Sequence, residues 1–314
     1  MRPGSVVALA GGVGASRFLQ GLVRVVDPRR VFVIGNTGDD AEIHGLHISP
    51  DLDTVTYSLA GLADSKQGWG IRHDSFDCLS GLKVLGAETW FRLGDRDLAT
   101  HIYRTERLRN GALLSQVTSE ITSALVVPST IVPMSDDRVR TRIVTPSGEL
   151  EFQTYFVKRR ARDRVTGIRF NGATEAAPAD GVLNAIDKAK GIVLCPSNPF
   201  ISIAPILAIP GIRNALQRRR DRVIAISPII RGRALKGPAA KMMKGLGIPV
   251  SAASVAKLYR DIVGTFILDE ADRSQSSAVQ ALDMRPVVCN TLMCGLSQKK
   301  ALARRAVREL GIRI

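Results

Sequence analysis

An α/β fold, a Rossmann-like parallel sheet with helices on both faces, is predicted by three observations on this 314-residue chain. Short β-branched runs alternate with helical segments, the first run flows straight into a glycine-rich turn, and a strand-rich stretch interrupts the alternation in the middle. Parallel strands need a crossover between them and must be covered on both faces, so this alternation implies strands edge to edge beneath helices. The interruption predicts a small inserted α+β subdomain at residues 135–175, dividing the core into residues 1–134 and 176–314.

Val6–Ala10 reads Val-Val-Ala-Leu-Ala and is the first strand rather than a secretory signal, because it is short and runs into glycines and an arginine-bearing helix. Residues 16–26 repeat apolar side chains at three and four (Phe18, Leu19, Leu22, Val23, Val26), the spacing of a helix with one buried face. Val31–Gly35 predicts the second strand, and residues 54–63 a helix with Asp53 placed as its N-cap. In the middle, Arg140–Thr145 and residues 149–157 flank the turn Pro146-Ser147-Gly148, with 165–170 as a third strand. Further strands are expected at 192–195, 223–227, 265–268 and 287–289, and helices at 179–190, 212–219, 238–246, 254–262 and 298–310.

Composition narrows the function. With 45% hydrophobic residues the chain can bury a large core, and no apolar run approaches the roughly 20 residues that cross a bilayer, so the expectation is a cytoplasmic protein with no membrane partner. Cys78, Cys195, Cys289 and Cys294 have no Cys-x-x-Cys spacing and read as reduced structural thiols. His44, His47, His73 and His101 are not spaced as zinc ligands. The net charge of +15, from 44 Lys and Arg against 29 Asp and Glu, attracts anions of any kind. Aromatics make up 5% and are not interleaved with the basic clusters at 158–164, 218–222 and 299–305, so the stacking platforms of nucleic-acid binders are missing.

The motifs point to phosphoryl chemistry. In Gly11-Gly12-Val13-Gly14 a strand ends, the backbone turns tightly, and the following helix directs its N–H groups and positive dipole end at the loop, which suits a phosphate or diphosphate. Asp39 and Asp40 follow the second strand, and Asp51 and Asp53 come soon after. Four close carboxylates are costly beside phosphate unless a cation neutralises them, and Mg²⁺ takes one or two carboxylates plus phosphate oxygens. Phe91-Arg92-Leu93-Gly94-Asp95-Arg96-Asp97 offers arginines for phosphate or a planar acidic ring. Cys195-Pro196-Ser197-Asn198-Pro199 ends a strand with hydrogen-bonding side chains over the sheet edge.

In order and wording, Gly11-Gly-Val-Gly14, Asn36-Thr-Gly-Asp-Asp40, His44-Gly-Leu-His-Ile-Ser-Pro-Asp-Leu-Asp-Thr54, Leu93-Gly-Asp-Arg-Asp97, Pro133-Met-Ser-Asp-Asp137, Pro196-Ser-Asn-Pro199 and Ser227-Pro-Ile-Ile230 resemble the 2-phospho-L-lactate transferase (CofD, or FbiA) family of coenzyme F-420 biosynthesis. The resemblance implies an enzyme in which the terminal ribityl hydroxyl of the deazaflavin Fo (7,8-didemethyl-8-hydroxy-5-deazariboflavin) attacks the phosphate beside a three-carbon acid. The donor is guanosine diphosphate-linked, the acid is of the lactate, enolpyruvate or glycerate type, and GMP leaves. By resemblance Asp53 and Arg92 contact Fo, with Asp53 orienting or deprotonating the hydroxyl; Gly11, Gly12, Gly14, Ser197, Asn198 and Pro199 hold the guanosine diphosphate part, and a homodimer is implied. From the residues themselves, Asp39, Asp40 and Asp53 are the expected ligands of the Mg²⁺ cofactor, and Asp53→Asn is expected to abolish transfer in a folded protein. The alternative is a YvcK-like nucleotide-sugar-binding regulatory protein. Those proteins carry Asp-Asp-Gly-Gly-Ser-Ser-Gly-Arg after the second strand, whereas here Asp39-Asp40 continues as Ala41-Glu-Ile-His-Gly45.

Overall fold

The computed structural model describes residues 4–64 and 67–313. In chain order the strands are β1 (Val6–Ala10), β2 (Val31–Gly35), β3 (Ala41–Ile43), β4 (Leu46–Ile48), β5 (Thr130–Pro133), β6 (Arg140–Thr145), β7 (Gly148–Glu151), β8 (Gly167–Asn171), β9 (Gly191–Leu194), β10 (Val223–Ile226), β11 (Ile229–Ile230), β12 (Arg233–Ala234), β13 (Thr265–Asp269) and β14 (Arg285–Cys289). The helices are α1 (Gly12–Leu22), α2 (Pro50–Leu59), α3 (Asp77–Val84), α4 (Asp95–Arg109), α5 (Leu114–Ala124), α6 (Val182–Lys188), α7 (Ala204–Ala208), α8 (Ile212–Arg218), α9 (Ala239–Gly245), α10 (Ala252–Leu258), α11 (Ser276–Gln280) and α12 (Leu296–Glu309).

Seven strands form one sheet in the order β14-β13-β10-β9-β1-β2-β5, every neighbouring pair parallel. β1, β9, β10 and β13 are buried along their whole length, as strands covered on both faces must be. One face is covered by α1 and α12, whose Phe18, Leu19, Leu22, Leu302, Ala303 and Val307 join one apolar cluster. Helices α6, α8, α9 and α10 supply the other face through residues such as Ile186, Leu216, Met242 and Val255. All six expected strands of the main sheet are present. The seventh, β5, was not expected, since a four-residue edge strand ending in proline carries little sequence signal.

The order of strands positions the site. From β1 the chain steps outward to β2 and β5; it then returns to β9 on the other side of β1 and steps outward again through β10, β13 and β14. Pairing runs from Val6 beside Val31 to Ala10 beside Gly35, and from Val6 beside Gly191 to Leu9 beside Leu194. The direction therefore reverses between β1 and β9, and the crevice beyond their carboxyl ends is where ligands bind in such sheets.

Between β5 and α6 lies a separate antiparallel sheet in the order β7-β6-β8. The strand expected over 149–157 stops at Glu151, and Thr154–Lys158 winds into a π-helical turn. Phe152 and Tyr155 are both buried, and their spacing of three suits a helical turn, which brings both into the core where a strand would turn one outward. Among the described residues no single helix is long and apolar enough to cross a membrane.

Candidate functional site

At the reversal point the loops after β1 and β9 are packed into one unit. The Ser197 Oγ donates to the Gly11 carbonyl at 2.8 Å, and the Asn198 Oδ1 accepts from the Phe200 N–H at 2.9 Å, capping the turn Pro199–Ile203. Gly14 admits no side chain, because a Cβ there would stand 2.0 Å from the Pro196 carbonyl oxygen. Gly11 is equally confined: a Cβ would lie 2.5 Å from Asp51 Oδ2. Gly12 has φ +68° and opens α1, which has no side-chain cap and no acidic residue in its first turn. The Gly11–Gly14 loop and the Ser197-Asn198-Pro199 turn are thus neighbours, with an uncapped helix start beside them.

Beside this unit opens a cavity of about 330 Å³. Gly12, Asp39, Asp51 and Asp53 line its inner end, while Trp69, Trp90, Phe91, Phe152 and Phe156 make much of its wall together with Arg92. The Arg92 guanidinium lies 4.2 Å from the centre of the Phe76 ring and 5.9 Å from that of Trp69, a stacked cation over an aromatic rim. Across the mouth, Lys158 Nζ bonds Glu88 at 2.7 Å and sits 5.6 Å from the Trp90 ring, so the basic cluster at 158–164 reaches the cavity rim with its first residue. Asp74 and Asp95 fix the segment that carries Arg92. Asp74 accepts from the backbone N–H groups of Arg96 and Asp97 at the start of α4, and Asp95 accepts from those of Asp77 and Cys78 at the start of α3.

The four carboxylates differ sharply in their partners. Asp51 Oδ2 accepts from Asn36 Nδ2 at 2.8 Å, yet burial prevails over that bond and one from the Gly12 N–H, and the carboxyl is pushed up to about 7. Burial and then the charge of Asp51 hold Asp39 well above the ordinary carboxylate range. Asp40 Oδ2 accepts from Ser49 Oγ at 2.8 Å and meets His47 Nε2 at 2.9 Å. One oxygen of Asp39 and one of Asp40, both Oδ1, are buried with no hydrogen-bond partner among the described residues.

Asp53 requires two corrections. It does not cap a helix: α2 starts at Pro50 and Asp53 sits within it, its N–H donating to the Ser49 carbonyl at 3.0 Å. Proline at the first helical position moves the start four residues upstream of the expected one. Nor are its oxygens free for a metal. Arg104 Nη2 bonds Oδ1 and Nη1 bonds Oδ2 at 3.1 Å, forming a buried forked ion pair. Burial raises the Asp53 carboxyl against the pull of Arg104 and His101, while Asp53 outweighs burial at Arg104 and keeps that guanidinium firmly protonated.

Around this pair runs a network that the sequence reading missed. Tyr57 donates to Asp97 Oδ1 at 2.7 Å, His101 Nε2 lies 3.3 Å from the same oxygen, and Arg104 Nη1 lies 3.2 Å from His101 Nδ1. Arginine can only donate, so Nδ1 accepts, which assigns the ring proton to Nε2 on the Asp97 side. Asp97, His101 and Arg104 recur at four and three, one face of α4, and a buried polar stripe on an amphipathic pattern was the available signal.

For a divalent cation the residues present fit in part. Among the described residues no three His, Cys, Asp or Glu side chains gather as a ready cluster, but the unpartnered oxygens of Asp39 and Asp40 match an ion that takes one or two carboxylates and draws further oxygens from phosphate.

Comparison with known proteins decides the family. The family model described as 2-phospho-L-lactate transferase CofD matches residues 6–306. The chain belongs to the CofD family. Among its relatives, the 2-phospho-L-lactate transferase of Methanosarcina mazei is 39% identical over 298 residues, covering 95% of this chain and 98% of that protein. The phosphoenolpyruvate transferase of Streptomyces griseus is 41% identical over 308 residues, covering 96% and 97%. A crystal structure of a Bacillus halodurans protein superposes on 98% of this chain and all of the other with a TM-score of 0.69 at 16% identity, a likeness of fold alone. A second structure from that organism, described as a member of the UPF0052 family, gives 0.63 at 15% identity over 98% of this chain and 99% of that one. This CofD-family chain is therefore a transferase with a Rossmann-like α/β fold.

Proposed function

We propose that the protein transfers a phosphorylated three-carbon acid, of the 2-phospho-L-lactate, phosphoenolpyruvate or 3-phosphoglycerate type, from a guanosine diphosphate-linked donor to the ribityl hydroxyl of Fo in coenzyme F-420 biosynthesis. The observation that carries this reading is the aromatic-walled cavity whose inner end is the glycine-rich start of α1. A planar tricycle needs such walls and a diphosphate needs such a helix start, and here the two adjoin.

The Fo ring stacks among Trp69, Trp90 and Phe156 with Arg92 at its edge, and its ribityl chain runs inward toward Asp53. Arg104 already occupies Asp53, so the carboxylate accepts the hydrogen bond of the attacking hydroxyl and orients it rather than serving as a free base. The O–P bond to the acceptor forms as the bond to GMP breaks; GMP departs with the electron pair, the hydroxyl proton passes to solvent, and a phosphodiester is left. Gly11, Gly12 and Gly14, with the 196–199 turn behind them, align the diphosphate. Asp39 and Asp40 would hold Mg²⁺, which when bound neutralises charge on the diphosphate and on the departing GMP. Transfer of this kind depends on position and electrostatics more than on reactive side chains.

Incubation with Fo, Mg²⁺ and each of the three donors, followed by mass spectrometry, tests the reading. The expected result is one phosphodiester product with equimolar GMP. Absence of product with all three donors, or GMP release that does not depend on Fo, rejects it.

A further inference from the structure

Beside Asp39 a smaller cavity, the branch, adjoins the first. This second cavity, of about 80 Å³, shares Asp39, Phe152 and Gln153 with the first, and Arg138, Arg140 and Arg142 stand on its wall. Arg140 is half-buried; its one hydrogen bond runs from Nη1 to the Val139 carbonyl at 2.9 Å, and among the described residues no carboxylate lies within ion-pair reach of it. Burial draws its guanidinium below the usual value, with Asp40 pulling the other way. Arg142 pairs with Glu151 at 3.1 Å, but its Nε is buried with no hydrogen-bond partner among the described residues. Removing a guanidinium from water without giving it a partner is costly, so an anion brought by a ligand is the natural complement.

Size and position bear on which anion that is. The branch is too small for a nucleobase or a deazaflavin. In an in-line displacement the attacking hydroxyl and the departing GMP oxygen lie on one axis, here from the aromatic end of the main cavity toward Gly12. The third substituent on phosphorus, the acid, must project sideways from that axis. The smaller cavity adjoins the main one at Asp39, Phe152 and Gln153 and shares with it neither Gly12 nor Trp69, Trp90 or Arg92. Asp39, Asp40, Glu42 and Glu151 also contribute to its lining, Glu151 being paired with Arg142, so a ligand must keep its negative charge toward Arg140.

We propose that this branch is the subsite for the three-carbon acid of the donor and that Arg140 binds the acid's carboxylate, an assignment that rests on the proposed function. The lactyl, enolpyruvyl or glyceryl identity of the donor is then read between β6 and the Gly38–Ala41 loop, away from the nucleotide.

Arg140→Gln and Arg140→Lys are compared with the wild type by KM and kcat for each guanosine-linked donor and KM for Fo, and by calorimetric Kd for GDP, which lacks the acid. Arg140→Gln is expected to raise donor KM about tenfold or more, the loss of a charge-assisted contact, while GDP Kd and Fo KM stay within about twofold. Arg140→Lys, which keeps the charge but not the fork, should fall between, and it carries the comparison if the glutamine variant does not fold. An unchanged donor KM overturns the proposal. So does an equal loss of GDP affinity, which would assign Arg140 to the diphosphate. Wild-type protein that binds GDP yet turns over none of the donors would reject the proposed function itself, and the subsite with it.

Discussion

At Asp51 two opposing effects meet. Its place in the first turn of α2 and the bond from Asn36 favour the carboxylate, yet burial outweighs them and lifts the carboxyl from 3.8 to about 7. A folded-state value above the unfolded one means that ionisation works against folding, so stability falls as pH rises from about 4 to about 7. Asp51→Asn should therefore stabilise the protein by on the order of 4 kcal/mol at pH 8 and by less than half of that at pH 5, as read from urea unfolding at the two pH values. Equal gains at both would show that the carboxyl is not raised. For Asp53 the expectation changes. Asn at 53 leaves Arg104 buried without its counter-ion, which costs about 3–5 kcal/mol, so Asp53→Asn should lose stability as well as transfer. Adding Arg104→Met should recover much of the thermal midpoint but none of the activity. The sequence made Asp53 conspicuous and left Arg104 invisible, because an ion pair fifty-one residues apart appears only once α2 and α4 are packed together.

Elements of the main sheet were legible where burial on both faces leaves an unbroken apolar run, as in Val-Val-Ala-Leu-Ala of β1. They were not legible where length or spacing is ambiguous, as in the four residues of β5 and the π turn after β7. Close approach is similarly hidden: Gly21 looks like any helix glycine, but a Cβ there would meet the Lys299 carbonyl oxygen of α12 at 2.2 Å. The pairing of Asp74 with α4 and Asp95 with α3 is a property of two helix starts that cap one another's segments. Hydrogen bonds from Ser75 and from the Cys78 and Asp77 backbone hold the Asp95 carboxyl below its usual value. Asp95→Ala should accelerate amide exchange across residues 77–80 and raise KM for Fo with little change in KM for the donor, since Phe76 and Arg92 lie on the segment it secures. Unaltered exchange there would mean that α3 is held by something other than this cap.

The molecule as a whole carries +15. Long-range attraction of this type is screened within about 8 Å at physiological salt. Donor affinity should thus weaken severalfold between ~50 and ~300 mM salt, whereas Fo affinity, followed by its fluorescence, should change less than about twofold. A steep loss of Fo affinity would argue that the ring is held by charge instead of by aromatic walls. Charge, composition and motif order were readable along the chain, but strand adjacency was not, since nothing in the sequence states that β9 returns beside β1.

That return has a consequence for synthesis. The carbonyl of Gly11 waits for the hydroxyl of Ser197, and the opening at Gly14 is shaped to a carbonyl 182 positions later. A nascent chain that has emerged only through β5 has the acidic pair and the aromatic segment but an unfinished nucleotide loop. On the proposed function, donor-dependent protection of a growing chain should therefore be absent before the 196–199 turn has emerged from the ribosome and present only after it.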